Sequence, residues 1–303
     1  MQTTTNLKIP GNTDLRLHCE LASTALLGEG PWWSQCEQVL YWVDILAPAV
    51  HCYDPLQKRN VSITLPSMVG AIAQRKGGGF VAALQSGFAF LNLYTGAVEP
   101  IGDPEKHLPG NRFNDGKCDR RGRFWAGTMS VSGEARSGSL YCLNPDGGIE
   151  CKLSEVGVAN GLGWSPDNTV MYFTDSAERT IYAFDFDLDD GTISRRRVFA
   201  RVPENCGVPD GLTVDSAGAV WSAHWDGWRL TRYQPDGAID KIVMLPVPRP
   251  TSCMFGGVNL ETLYVTTART GLASQRLKNA PLSGSIFAVT ANAPGIPEPC
   301  FAG

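Results

Sequence analysis

The hydrophobic residues of this chain occur in short runs, and clusters of glycine, proline, aspartate and asparagine separate the runs. Short apolar runs bounded by turn residues predict β-strands rather than helices. One run that contains aromatic residues recurs six times, starting at Leu40, Phe80, Phe124, Met171, Val220 and Leu263. These starts lie 40, 44, 47, 49 and 43 residues apart. A period of roughly 40–50 residues built from short strands is typical of a β-propeller.

Each repeat unit divides into four predicted strands separated by turns. The first strand starts around small residues, the second is the aromatic run, and the third alternates aromatic and smaller residues. A fourth, more polar strand follows in five units, but the sixth unit continues into Ala293-Pro294-Gly295 instead. The otherwise unused run from Leu15 to Leu21 can supply the missing strand, and this pairing would remove exposed sheet edges.

The predicted fold is therefore all-β: a six-bladed β-propeller with four-stranded blades, whose last blade is closed by the N-terminal strand. We expect a single domain over residues 1–303, with a tail at 1–13, the closing strand at 14–23 and six blades at 24–292. The natural place for chemistry in such a fold is the mouth of the central channel.

Composition narrows the expected partners and compartment. The chain has 303 residues, 43% hydrophobic and 18% charged, as expected for a soluble globular protein. Its net charge of −4 gives no electrostatic reason to expect nucleic acid or a membrane as a partner. No apolar stretch is long enough for a transmembrane helix, and the N-terminus lacks the pattern of a secretory signal. The nine cysteines include no C-x-x-C pair, which favours reduced thiols and a cytoplasmic protein. We expect a monomer or a weak homo-oligomer.

The residue that begins each first strand indicates the chemistry of the channel mouth. Across the six units this position reads Glu29, Val69, Asp115, Asn160, Asp210 and Ser252. Because the innermost strands converge on the axis, we expect these side chains to cluster. Crowded carboxylates repel unless a cation neutralises them, and oxygen ligands favour hard divalent cations. Asn and Asp beside glycine are also ordinary turn residues, but their recurrence around a ring favours a metal site.

The runs that carry these residues resemble the SMP-30/gluconolactonase/regucalcin family. Eight motifs occur in the family's order and cover almost the whole chain: Gly28-Glu29-Gly30-Pro31-Trp32, Arg112-Phe113-Asn114-Asp115-Gly116-Lys117, Phe124-Trp125-Ala126-Gly127-Thr128-Met129, Gly138-Ser139-Leu140-Tyr141, Ala159-Asn160-Gly161-Leu162, Ser165-Pro166-Asp167, Pro209-Asp210-Gly211 and Cys253-Met254-Phe255-Gly256-Gly257. The resemblance implies a six-bladed propeller with one divalent cation in its channel and an enzyme that hydrolyses sugar lactones.

The resemblance also implies roles for particular residues. The metal ligands would be Glu29, Asn160 and Asp210. The substrate-binding residues would be Arg112, Asn114, Asp115 and Glu134, the last being the only carboxylate in the loop at 130–137. The cation is expected to be Ca²⁺, with Zn²⁺, Mn²⁺, Mg²⁺ or Fe²⁺ as alternatives. The long loop from Thr128 to Gly138 is a candidate lid over the mouth.

Lactone hydrolysis is acyl transfer to water, and it needs a base and charge stabilisation. Asp210 is the candidate general base, and Arg112 can hold substrate hydroxyls or the developing oxyanion. A serine triad is disfavoured because no G-x-S-x-G motif occurs. His224 is interpreted as a packing residue, whereas Trp225 and Trp228 can line a sugar-binding face. The alternatives are a phosphotriesterase-like hydrolase and a calcium-binding regulatory propeller without turnover.

Overall fold

Residues 15–303 are described by the computed structural model, in which 24 strands form six four-stranded antiparallel sheets. Blade one contains β2 (Gly28–Ser34), β3 (Val39–Asp44), β4 (Ala49–Asp54) and β5 (Arg59–Thr64). Blade two contains β6 (Val69–Gln74), β7 (Phe80–Leu84), β8 (Gly87–Asn92) and β9 (Ala97–Gly102). Blade three contains β10 (Asn111–Cys118), β11 (Phe124–Ser130), β12 (Gly138–Leu143) and β13 (Ile149–Val156).

The second half of the ring repeats this arrangement. Blade four contains β14 (Ala159–Trp164), β15 (Val170–Asp175), β16 (Thr180–Phe186) and β17 (Ile193–Arg201). Blade five contains β18 (Val208–Val214), β19 (Val220–Trp225), β20 (Arg229–Tyr233) and β21 (Ile239–Met244). Blade six contains β22 (Pro250–Gly256), β23 (Thr262–Thr267), β24 (Ile286–Thr290) and the N-terminal β1 (Leu17–Leu21). Two short helices lie between strands, a 3₁₀ helix at Glu204–Cys206 and α1 at Ser274–Asn279.

The closing strand lies where the sequence predicts it. β1 pairs antiparallel with β24, with Leu17 opposite Val289. Glu20 links β1 to blade one, because its carboxylate accepts hydrogen bonds from Tyr53 Oη at 2.9 Å and from Lys58 Nζ at 2.5 Å. The six-bladed prediction is thus confirmed. The predicted tail at 1–13, and the first residue of the predicted closing strand, lie outside the described residues.

Burial falls from the axis to the rim, as the hydrophobic pattern requires. Every residue of the innermost strands β2 and β14 is buried, whereas the outer strands β5 and β17 are largely exposed. Fully buried tryptophans occupy the second strands of three blades, at Trp42, Trp125 and Trp221. Apolar inner strands and polar outer strands explain why each repeat begins apolar and ends polar.

The innermost strands share one irregularity that positions the channel residues. In each of the six, the pairing with the second strand shifts register near the start. Glycines at these shifts allow neighbouring blades to approach closely. A Cβ on Gly161 would lie 2.7 Å from the carbonyl oxygen of Asp210, and one on Gly70 would lie 2.6 Å from that of Asn114. The glycine that follows the channel residue in five of the six innermost strands is therefore a packing requirement between blades.

The end of the chain crosses the opposite mouth of the channel. We call residues 294–303 the C-terminal strap. The Phe301 N–H donates to Gln74 O at 2.8 Å, and the Phe301 carbonyl accepts from Lys76 N at 2.9 Å. Phe301 is only 1% exposed and packs in the core of blades one to three. These partners follow the ends of innermost strands, so the strap lies far from the strand starts. The helices in residues 15–303 are not long and apolar enough to cross a membrane.

Candidate active site

A cavity of about 240 Å³ lies at the mouth where the innermost strands begin. Six polar residues line it: Glu29, Arg112, Asn114, Asn160, Ser176 and Asp210. Six apolar residues complete the lining: Leu27, Met129, Val158, Val208, Pro209 and Trp225. The structure therefore brings together the three predicted metal ligands and two of the four predicted substrate residues, although these five come from four different blades.

Three carboxylates at this mouth are almost completely removed from water. Glu29, Asp115 and Asp210 are 4%, 6% and 6% exposed. Burial, and then the negative charges of Asp210 and Asp115, raises the pKa of Glu29 well above its usual value. Burial, followed by the charge of Asp115, likewise raises the pKa of Asp210. A bound cation would relieve the electrostatic repulsion between these carboxylates and stabilise their charged forms.

Asn160 presents an oxygen that has no protein partner. Its Nδ2 donates to Ser176 Oγ at 2.9 Å, and that hydroxyl donates to the carbonyl of Pro209 at 2.6 Å. These two hydrogen bonds hold the side-chain amide of Asn160 so that its Oδ1 lies on the opposite side, where it is buried and accepts no hydrogen bond. An orphaned buried acceptor beside two carboxylates fits a cation ligand. Within residues 15–303 no three His, Cys, Asp or Glu side chains form a metal-binding group, so Asn160 would be needed as the third ligand.

Among the residues that the structure describes, Arg112 is the only positively charged side chain that lines the cavity. Its Nη1 donates to Asn114 Oδ1 at 2.8 Å and to the carbonyl of Phe113 at 2.9 Å. Asn114 Nδ2 in turn donates to the carbonyl of Ala159 at 2.8 Å, which ties the pair to blade four. Burial lowers the pKa of Arg112 to about 10, against the opposing effect of the Glu29 and Asp210 charges. The guanidinium remains positively charged at neutral pH.

Asp115 lies beside the cavity rather than on its wall. It accepts a hydrogen bond from the N–H of Gly116 at 2.7 Å. Burial raises the pKa of Asp115, and the nearby charge of Lys117 opposes that rise. Lys117 Nζ donates to Leu212 O at 3.1 Å and lies 3.8 Å from Glu298 Oε1 on the C-terminal strap. Lys117 thus connects the channel acids to the strap. In the sequence, only its position two residues after Asp115 indicated that the two side chains lie on the same face of the strand.

The remaining predicted residues lie elsewhere. Glu134 is exposed and does not line the cavity, and its loop is held instead by an ion pair of 2.7 Å between Arg136 and Glu178. Its contact with substrate stays a prediction, as does the lid. The Nδ1–H of His224 donates to the carbonyl of Cys206, 2.9 Å away. Burial lowers the pKa of His224 to about 4, so the ring is neutral at pH 7.

Comparison with known proteins gives this site a context. A family model described as the SMP-30/Gluconolactonase/LRE-like region matches residues 27–269, which include all seven predicted site residues. The chain belongs to this family. The resemblance inferred from the sequence motifs is therefore confirmed.

Relatives in the SMP-30/gluconolactonase family align over nearly their full lengths. The 6-deoxy-6-sulfogluconolactonase of Pseudomonas putida is 39% identical over 289 residues, covering 95% of this chain and 99% of that protein. Human regucalcin is 36% identical over 284 residues, covering 92% and 95%. A solved luciferin-regenerating enzyme matches with a TM-score of 0.88 and 32% identity, covering 94% and 99%. A calcium-binding regucalcin from Agrobacterium tumefaciens matches with a TM-score of 0.90 and 28% identity, covering 93% and 96%.

Two features of this SMP-30/gluconolactonase site were not predicted from the sequence. Ser176 orients Asn160, but a serine after a strand carries no signal of such a role. The apolar half of the lining was also missed, apart from Trp225. In retrospect Val158 and Val208 each precede a predicted ligand by two residues, so strand alternation places them on the same side of the chain.

Proposed function

We propose that this protein hydrolyses a sugar lactone, an aldono-lactone, to the aldonic acid with the help of one divalent cation. The observation that carries the proposal is the buried group of Glu29, Asp210 and the unpartnered oxygen of Asn160 in one cavity. The sulfogluconolactonase among its relatives supports a hydrolase that acts on an ester bond. The regucalcins among them, one described as calcium-binding, support a divalent cation.

Glu29, Asn160 and Asp210 would hold the cation. When bound, the cation would polarise the lactone carbonyl and offset the charge of the carboxylates. Ca²⁺ is our first expectation because all the protein ligands are oxygens, and Zn²⁺, Mn²⁺, Mg²⁺ and Fe²⁺ are the alternatives to test.

Asp210 would act as the general base. Its carboxylate would accept a proton from the water whose oxygen attacks the lactone carbonyl carbon. When the bond between that carbon and the ring oxygen breaks, the proton passes to the ring oxygen, which becomes a hydroxyl of the acid.

Arg112 would bind substrate oxygens and stabilise the charge that develops on the carbonyl oxygen. Its two Nη1 hydrogens are used within the protein, and a guanidinium has three further N–H donors. Both polar atoms of Asn114 are engaged, by Arg112 and by the carbonyl of Ala159. We therefore expect Asn114 to position Arg112, and Asp115 to act on the site through its charge.

The test is to strip the protein with a chelator and assay a stereochemically varied panel of aldono-lactones with each divalent cation restored singly. Hydrolysis that disappears on chelation and returns with a cation would support the proposal. Cation binding without turnover on any lactone would favour a regulatory calcium-binding propeller. Hydrolysis that survives complete removal of metal would contradict the role of the cation.

A further inference from the structure

The lining of the cavity is arranged in two layers of different depth. The deeper layer consists of the six buried polar residues of the lining: Glu29, Arg112, Asn114, Asn160, Ser176 and Asp210. The outer layer consists of five half-buried residues, all apolar, which we call the apolar collar: Leu27, Met129, Val158, Val208 and Trp225. Leu27, Val158 and Val208 each lie two residues before a residue of the deeper layer. In a strand, two residues span about 7 Å along one face, so the collar surrounds the entrance above the polar layer.

Three residues of the collar lie in strands, and the other two, Leu27 and Val158, form isolated bridges next to a strand. Val208 lies opposite Trp225 in the pairing of β18 with β19. Met129 and Val158 form an isolated antiparallel bridge between blades three and four. These neighbours fix one another's positions, so the collar is preorganised.

Trp225 is also braced from behind. The guanidinium of Arg249 lies over its ring, 4.4 Å from the ring centroid. Arg249 is itself held by Asp226 through two contacts of 3.1 Å, and Arg276 of helix α1 lies 3.0 Å from the same carboxylate. Asp226 thus offsets one of the two positive charges behind Trp225, and neither guanidinium lines the cavity.

This inference rests on the proposed function. We propose that the apolar collar selects lactones whose exocyclic carbon is apolar, namely 6-deoxy aldono-lactones, over fully hydroxylated or 6-sulfonated ones. With the ester in the polar layer, the exocyclic carbon lies against Trp225 and Val208. A hydroxyl there loses its water without gaining a partner, and a sulfonate loses more.

The experiment compares kcat/KM for three matched lactones: D-glucono-1,5-lactone, its 6-deoxy analogue and its 6-deoxy-6-sulfo analogue. We expect the 6-deoxy lactone to be preferred over gluconolactone by about 10-fold, and the sulfonated lactone to be the poorest. Val208→Thr adds a hydroxyl to the collar at nearly constant volume, and it should reduce the preference at least about threefold. Trp225→Phe should raise KM for the 6-deoxy lactone, with kcat changed less.

Trp228→Phe is the matched control, because Trp228 belongs to the same turn but does not line the cavity. It should leave the preference unchanged, and melting temperatures confirm that each variant folds. If wild type hydrolyses lactones but prefers gluconolactone or the sulfonated lactone, the collar inference is wrong while the proposed function stands. If Val208→Thr leaves the ratio unaltered, the collar does not set specificity. If no lactone is hydrolysed with any cation, the proposed function itself fails, and the inference with it.

Discussion

Replacing Asp210 by asparagine should make the metal-free protein more stable and at the same time inactive. In the absence of a cation Asp210 is a buried acid close to two others, and each raises the cost of ionising its neighbours. Asparagine has nearly the same shape and removes one of the three charges. The same change removes the proposed base and one of the proposed metal ligands.

The expected gain is about 0.5–2 kcal/mol, the usual range when a residue that serves function at the expense of stability is replaced. This corresponds to roughly 1–3 °C in melting temperature for a chain of this size. Turnover should fall by about 10²–10⁴-fold, the contribution of a general base. A cation present at about 100 times its Kd stabilises the wild type by about 2.7 kcal/mol, and the variant should lose most of that gain.

The pH dependence has a definite sign. Burial raises the pKa of Glu29, Asp115 and Asp210 in the folded protein, so the folded state holds their protons more tightly than the unfolded chain does. The stability linked to these groups is fully present below their unfolded pKa of about 4 and is lost as pH rises through the raised folded value. Metal-free wild type should therefore become less stable as pH rises from about 4 towards 8, and Asp210→Asn should flatten that decline.

The assay is thermal unfolding of chelator-treated wild type and variant across this pH range, with and without cation. Asp215→Asn is the matched control, since Asp215 is also a buried aspartate of blade five, but it is paired with Arg232 at 2.8 Å and with Trp221. Removing a paired buried charge should destabilise the protein by about 3–5 kcal/mol. A metal-free Asp210→Asn protein that is less stable than wild type, or one that keeps wild-type turnover, would refute the reasoning.

Three further predictions follow from single contacts. Ser176→Ala removes the acceptor that orients Asn160 and should weaken cation binding about 10–100-fold by calorimetry; unchanged affinity would contradict the orienting role. Arg112→Ala should lower kcat/KM by about 10–100-fold in steady-state assays, because the guanidinium would contact both the substrate and the developing charge, and an unchanged kcat/KM would argue against both roles. Phe301→Ala should cost about 3–5 kcal/mol in denaturant unfolding, because Phe301 anchors the strap in the core of blades one to three, and a negligible loss would mean that the strap is dispensable.

Much of the architecture was predictable because it is written in local patterns. Alternating and continuous apolar runs identify strands, and the even spacing of Leu40, Phe80 and Phe124 identifies repeated units. The sixth unit lacked one strand, and Leu17–Leu21 was the unassigned run that matched, as the pairing with β24 confirms. The channel residues were predictable from their position before a glycine that the packing of adjacent blades requires.

The strap, the collar and the brace behind Trp225 were not predictable in this way. Phe301 is hydrogen-bonded to Gln74 and Lys76, which lie more than 200 residues earlier in the sequence. Nothing in the residues around Phe301 specifies that contact. Arg249 reaches Asp226 through a turn whose course depends on two neighbouring blades. Glu134 shows that residue type alone does not place a side chain in the site. As a carboxylate it was a candidate for binding substrate, but its loop leaves it exposed.

The sequence by itself determined the six blades, their closure and the ring of oxygen-bearing side chains, because strand alternation and repeat length are properties of neighbouring residues. Only the tertiary structure decided which acids share one cavity, which amide oxygen lacks a partner and which apolar side chains surround the entrance. These features arise where segments from different blades meet. Their geometry depends on how the whole ring packs, and that information is distributed over residues far apart in the chain.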